Sequence, residues 1–260
     1  MKSVRLRILN PLIFTLLSLA LLFSGVILYA GTAAAAIRIP KNLSAGDRDE
    51  ALRIIGLGTS SKILSDPYPM GGYSGFEFGI SIENLPTDDL GRLGSGLPTP
   101  QQEVAFPKLT IGKGLYNGLD MFVHFTPYSR QDELSQYGGI GRWCFFETER
   151  FPLSLSLLIH GNVGNVGNLL TTRSYGADII AGINVDNVAL FGGGGPIEAV
   201  GTFAGGTNGV TNSNAFESAK VSGAHTVVGA NVHFLENIFV TLQIDRYSVP
   251  VFSGKLGVRF

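Results

Sequence analysis

Between Phe76 and Phe260 apolar side chains recur at every second position, segment after segment. In GFEFGISIE, Phe76, Phe78, Ile80 and Ile82 alternate with Glu77, Ser81 and Glu83. Leu119, Met121, Val123 and Phe125 alternate with Asp120, Phe122, His124 and Thr126, and Leu153, Leu155, Leu157 and Ile159 with Ser154, Ser156 and His160. Tyr175, Ala177, Ile179, Ala181 and Ile183 oppose Gly176, Asp178 and Gly182, while Ile238, Val240, Leu242 and Ile244 oppose Thr241, Gln243 and Asp245. The final segment, VFSGKLGVRF, sets Phe252, Gly254, Leu256, Val258 and Phe260 against Ser253, Lys255, Gly257 and Arg259. A period of two is that of a strand with one apolar face. Less regular strands are expected over 104–112, 140–147, 188–203 and 219–234, which makes about ten, each long enough to cross a bilayer when tilted.

A soluble sandwich has the same alternation, so the connections decide. Every second one is tight: Lys113 to Asn117, Glu147 to Phe151, Val185 to Asn187 and Leu235 to Asn237. Most of the others, at 84–102, 128–139, 161–168 and 205–218, are long, polar and rich in Gly, Asn and Pro; only Arg246 to Pro250 is short on that side. A sandwich has no physical reason to sort loop length by parity. A barrel crossing a membrane has one, with short periplasmic turns and longer outer loops.

The first 36 residues give the address. Lys2, Arg5 and Arg7 precede an apolar run from Pro11 to Ala30, and the small residues Gly31 to Ala36 follow. This is the pattern of a secretory signal cut after Ala36, and the length of the apolar run leaves an uncleaved anchor as the alternative. With the post-signal chain and Phe260 both expected in the periplasm, the strand number must be even. From Ser44, a capping residue and an acidic first turn lead into Leu52, Ile54, Ile55 and Leu57. One short helix is expected from Asp47 to about Leu57, within a segment 37–71 that either plugs a barrel mouth or leads in from the periplasm.

Several classes drop out. The net charge is -1 and there is no long Lys or Arg run, so nucleic acid has no electrostatic footprint here. Cys144 is the single cysteine, which excludes an internal disulfide, a cysteine-rich metal site and lipid attachment near the cut. The histidines His124, His160, His225 and His233 show no metal-ligand spacing, and no metal or other cofactor is expected. GYSG lacks the spacing of a nucleophile elbow, and the repeated GNVGN lacks the lysine of a phosphate loop. Trp143, Tyr175 and Tyr247 are expected as aromatics at the membrane interfaces.

Taken together, residues 72–260 resemble a Gram-negative outer-membrane β-barrel. The resemblance is to an architecture and not to one family. It implies an all-β fold, a closed antiparallel transmembrane barrel of about ten strands with a short N-terminal helix, placed in the outer membrane. It also implies that Phe252, Leu256, Val258 and Phe260 form the signal read by the barrel-assembly machinery. Lipid then meets the apolar faces, and Glu77, Lys108, Asp120, His124, Arg142, Asp178, Asp245, Lys255 and Arg259 point into the lumen.

Ten strands enclose a narrow lumen that paired charges can largely fill. The expected role is non-enzymatic: a narrow channel or transporter for small solutes, hydrophobic ones included if the N-terminal segment enters the lumen. The alternative is a structural or surface-interaction barrel with a filled lumen. Less favoured is an outer-membrane hydrolase, with Asp120 and His124 joined by Asp178 or Asp245 as its acid–base group.

Overall fold

The computed structural model describes residues 37–98, 103–126, 134–148 and 152–260. The export segment 1–36 lies outside them. Ten antiparallel strands close on themselves: β1 (Phe76–Pro86), β2 (Glu103–Gly114), β3 (Leu119–Thr126), β4 (Leu134–Thr148), β5 (Leu153–Val166), β6 (Leu170–Val185), β7 (Val188–Phe203), β8 (Glu217–His233), β9 (Ile238–Arg246) and β10 (Pro250–Arg259). Each pairs with its sequence neighbours, and β10 pairs with β1 from Arg259 opposite Glu77 to Phe252 opposite Asn84. Phe260 completes the seam: its amide donates to the Phe76 carbonyl at 2.8 Å and its carbonyl accepts from the Phe76 amide at 2.9 Å. Closure leaves no open strand edge, which is what a sheet in lipid requires.

Alternation sorts the side chains as expected. Met121, Val123, Ile159, Ile179, Leu190, Val228 and Leu242 are exposed on the outer face, while Glu77, Asp120, Asp245 and Lys255 are buried within. Aromatic residues gather at the short-turn end, among them Tyr73, Tyr116, Trp143, Phe146 and Phe260, and Tyr137 and Tyr175 stand toward the other end. An even-stranded closed barrel with an apolar outer wall, aromatic rims and loops longer at one end is of the outer-membrane type.

The connection expected at 161–168 is instead strand. Asn162, Gly164 and Val166 pair with Ser174, Thr172 and Leu170, so the hairpin turn is only 167–169, with Gly167 and Asn168 at positive φ. Glycine and asparagine in GNVGNVGN suggest a loop, yet the outward and inward sites there are small enough to continue the ladder. Likewise β4 starts at Leu134, not Ile140, because Gly138, Gly139 and Gly141 hide its alternation. A bulge between Cys144 and Phe146 leaves Trp143, Phe145 and Phe146 all on the outer face.

The N-terminal segment runs through the lumen. Helix α1 (Ala45–Leu52) begins two residues earlier than expected because Ser44 forms a full capping box with Asp47. The Ser44 hydroxyl and amide both donate to the Asp47 carboxylate, at 2.7 and 3.0 Å, and hold it below the usual carboxylate range. A π-helical turn over Arg53–Leu57 follows, and Ile54, Ile55 and Leu57 are fully buried.

Residues 37–43 lie at the long-loop end, not the periplasmic one. The Leu43 amide donates to the Val210 carbonyl at 2.9 Å, and the Ser95 amide donates to Lys41 at 2.9 Å. The chain then descends to Gly72–Ser74, beside the β2–β3 turn, and enters β1. The strand number is even because β1 starts and β10 ends at the same, short-turn end, Phe76 beside Phe260, and not because residues 37–43 lie there. The reason for this path is apolar: Ile37, Ile39, Leu43, Leu52, Ile54 and Ile55 join Phe106, Phe203, Leu170 and Val221 in one cluster in the upper lumen.

This path predicts labelling from both sides. In a Cys144→Ser background, a membrane-impermeant maleimide added to intact cells labels Lys41→Cys and not Tyr73→Cys, and lysis exposes both. The reverse pattern contradicts the assigned direction.

Candidate functional site

The lumen holds the chemistry. All nine side chains expected there lie on the inner face, eight of them buried and Arg259 nearly so. They bind the N-terminal segment and one another in three groups.

At the lower end, Glu77 accepts from Lys255 Nζ at 2.6 Å, Arg259 Nη2 at 2.9 Å and Ser65 Oγ at 2.7 Å. Arg142 Nη2 donates to Asp120 Oδ2 at 2.6 Å and to the Tyr68 carbonyl at 2.8 Å, and Arg142 also donates to the Asp66 carbonyl. Asp120 accepts from the Met70 amide at 3.2 Å. Wall charges thus clasp residues 65–70. Between this group and the wall a cavity of about 10 Å³ lies among Ile63, Pro67, Arg142 and Phe191, roughly the space of one water.

At mid-height Glu83 accepts from Lys62 at 2.6 Å and from Lys108 at 2.9 Å. Lys62 also donates to the Gly58 carbonyl at 2.8 Å. His124 Nε2 meets Ser61 Oγ at 2.8 Å, and Asn162 donates to the Thr59 carbonyl at 3.1 Å. The carbonyls of Gly58, Thr59 and Ser60, which lie at or past the end of the helical turn, accept from Lys62, Asn162 and Lys108, as a buried irregular segment requires.

The third group lies across β5, β6, β8 and β9. His225 Nδ1 stands 3.0 Å from both oxygens of Asp178, and its Nε2 is 2.9 Å from Asp245 Oδ1. His160 Nε2 is 3.1 Å from Asp178 Oδ2. Gln243 donates to both Asp245 oxygens, at 2.8 and 2.9 Å. Tyr247 stacks on His225 with centroids 4.5 Å apart and planes 8° apart. It is therefore a lumen residue and not an interface aromatic, because the tight β9–β10 turn folds it inward over the helix end. Trp143 and Tyr175 do lie on the outer face.

The acid–base group that the less favoured hydrolase reading would need from Asp120 and His124 does not assemble. Asp120 is held by Arg142, His124 by Ser61, and Asp178 and Asp245 flank His225. What hides the true grouping is the misplaced 161–168 connection. With the β5–β6 turn at 167–169, His160 falls opposite Gly176, two residues from Asp178. Across β7, Gly195 pairs with His225 and has no side chain to separate it from Asp178.

No protein-family model and no curated protein matches the chain. Among solved structures it is similar to the N-terminal β-barrel domain of Pseudomonas aeruginosa OprF, at 11% identity and a TM-score of 0.35, covering 73% of this chain and 99% of that one. It is similar to the outer membrane protease OmpT from Escherichia coli at 9% identity and a TM-score of 0.38, covering 72% and 95%. The outer membrane protein Omp33 of Acinetobacter baumannii has 11% identity and a TM-score of 0.30, covering 71% and 97%. At these overlaps the likeness carries no inference about the lumen.

Removing one member of a buried ion group strands the others in low dielectric, at about 3–5 kcal/mol. Glu83→Gln leaves Lys62 and Lys108 facing each other without an anion. Urea unfolding followed by the single Trp143 is expected to show that loss, and adding Lys62→Met to recover a large part of it. Unchanged stability in Glu83→Gln contradicts the buried triad.

Proposed function

We propose that this protein is a closed, self-plugged outer-membrane barrel with a structural or surface-interaction role, and not an open channel. The observation that carries the reading is the occupation of the lumen by residues 37–71. Their apolar part packs in the upper half and their polar part is held by Glu77, Glu83, Lys108, Asp120, Arg142 and Arg259, with Lys255 behind Glu77. A permeant solute would have to displace Lys62 from Glu83 and Arg142 from the 66–68 carbonyls, each contact desolvated. Passage of small solutes is the second reading, and it requires the plug to move.

The outer end supplies the surface such a role needs. Residues 41–43 are hydrogen-bonded to both the 87–98 and the 204–216 connections, so these loops and the N-terminal segment form one roof. Arg48 pairs with Glu217 at 2.6 Å and Arg53 donates to the Ser222 carbonyl at 3.2 Å, tying that roof to β8. The reading contains no enzymatic step. It keeps the lipid bilayer as the partner of the outer wall, and the barrel-assembly machinery as the reader of Phe252, Leu256, Val258 and Phe260. Of these, Phe252 and Phe260 are exposed, Leu256 is half-buried and Val258 is covered by its neighbours.

Planar-bilayer recording of the refolded full chain tests the proposal. The expected result is no stepwise conductance in the full chain, and steps when Glu83→Ala and Arg142→Ala are combined to release the plug. Regular single-channel steps from the unaltered chain would sink the closed-barrel reading and favour a solute channel.

A further inference from the structure

Among the described residues five buried carboxylates line the barrel wall, and their counter-charges divide them. Glu77, Glu83 and Asp120 each face a Lys or Arg within 3.0 Å. Asp178 and Asp245 face, among the described residues, only imidazoles and the Gln243 amide. Two carboxylates at 3% and 0% exposure without a lysine or arginine are costly in a dry lumen.

We infer that His160, Asp178 and His225 form a binding site for a divalent transition-metal ion of the zinc class. Their ligand atoms, one from each residue, all lie within 4.8 Å of one another. Two imidazoles and a carboxylate are a donor set that zinc and its neighbours prefer. Ligand atoms around a tetrahedral zinc are about 3.3–3.4 Å apart, from bonds of about 2.0–2.1 Å. Here His160 Nε2 and His225 Nδ1 stand 3.1 and 3.0 Å from Asp178 Oδ2, a few tenths of an ångström short of that spacing, and the two imidazole nitrogens lie within 4.8 Å of each other, so small side-chain rotations bring the three to one ion.

Two independent features point the same way. His160 is 4% exposed, and neither of its ring nitrogens has a hydrogen-bond partner among the described residues; the 3.1 Å approach to Asp178 lacks hydrogen-bond geometry. An imidazole buried with both nitrogens unused is expensive unless one of them takes a ligand. His225, in turn, presents its Nε2 to Asp245 at 2.9 Å. In the tautomer that donates that N–H, the Nδ1 lone pair faces Asp178. A histidine held by a carboxylate behind it is how metal-ligating imidazoles are oriented, and Gln243 fixes that carboxylate in turn. The bound ion would supply, at Asp178, positive charge that no lysine or arginine provides at ion-pair distance among the described residues. Three protein ligands leave a position for water or a small anion.

The backbone makes room for this. Gly195 of β7 lies between Asp178 and His225, and a Cβ there would fall 1.9 Å from the Ala177 carbonyl. A Cβ at Gly176 would fall 2.7 Å from His160 Nε2, the proposed ligand atom.

The test uses the full chain, refolded in detergent, stripped with a chelator and titrated with Co²⁺ and Zn²⁺. Uptake of about one ion per chain is expected, with a visible Co²⁺ spectrum typical of low coordination number. His160→Ala is expected to abolish uptake, and Asp245→Asn to weaken it about 10–100-fold through loss of orientation at His225. The heat-dependent gel shift of the barrel verifies folding of each variant. No stoichiometric uptake, or uptake unchanged in folded His160→Ala, overturns the site. Should that variant fail to fold, X-ray absorption of the wild-type Zn²⁺ form decides: a shell with two imidazoles upholds the site, and a shell of oxygen alone overturns it.

Discussion

Everything in this molecule follows from the fact that lipid offers no hydrogen bonds. A strand in hydrocarbon must bond every amide and carbonyl to another strand, and the only arrangement without a free edge is a closed ring. Closure here is completed by the last residue, through the paired bonds between Phe260 and Phe76. Once the ring is closed, alternation turns one face to lipid and the other to a narrow interior. The apolar outer wall is therefore the cause, and the polar lumen its consequence.

That interior poses the second problem, because charges brought inside must be matched or hydrated. The chain solves it with its own N-terminal segment. The upper lumen is built like the core of a soluble protein, with Leu52, Ile54 and Ile55 against Phe203 and Val221. Below it the segment abandons helix and becomes irregular, and there the wall supplies Lys108, Asn162 and Arg142 to satisfy exposed carbonyls. Breaking such buried pairs is far costlier than breaking surface ones, which makes the plug part of the fold and not a lid laid on it.

Much of the wall was legible from period alone. The faces of β1, β3, β6, β9 and β10 follow directly from alternation, and so does the inward direction of residues such as Asp120 and Lys255. Glycine defeated the reading in two places. In β4 it erased the apolar mark at Gly139 and Gly141, and in β5 it imitated a loop at 161–168. The second error hid the meeting of His160 with Asp178, since a hairpin's register follows from where its turn sits. The His160, Asp178 and His225 group was otherwise beyond sequence spacing, because its members come from three strands with the bare backbone of Gly195 between two of them. Nor could spacing tell a plug from a periplasmic lead-in; that depended on the upper lumen being apolar, which appears only once ten inner faces are brought together.

The central claim is that residues 51–66 are packed inside a closed barrel. Amide hydrogen exchange of the refolded full chain, read by mass spectrometry on peptides from this segment, tests it most directly. The account predicts that peptides covering 51–57 exchange as slowly as those from β6 and β7, since their amides are hydrogen-bonded in a helical turn whose side chains, Arg53 apart, are buried. Exchange within seconds, as for a free tail, while the strands stay protected would contradict it and leave an empty ring in place of the plugged one.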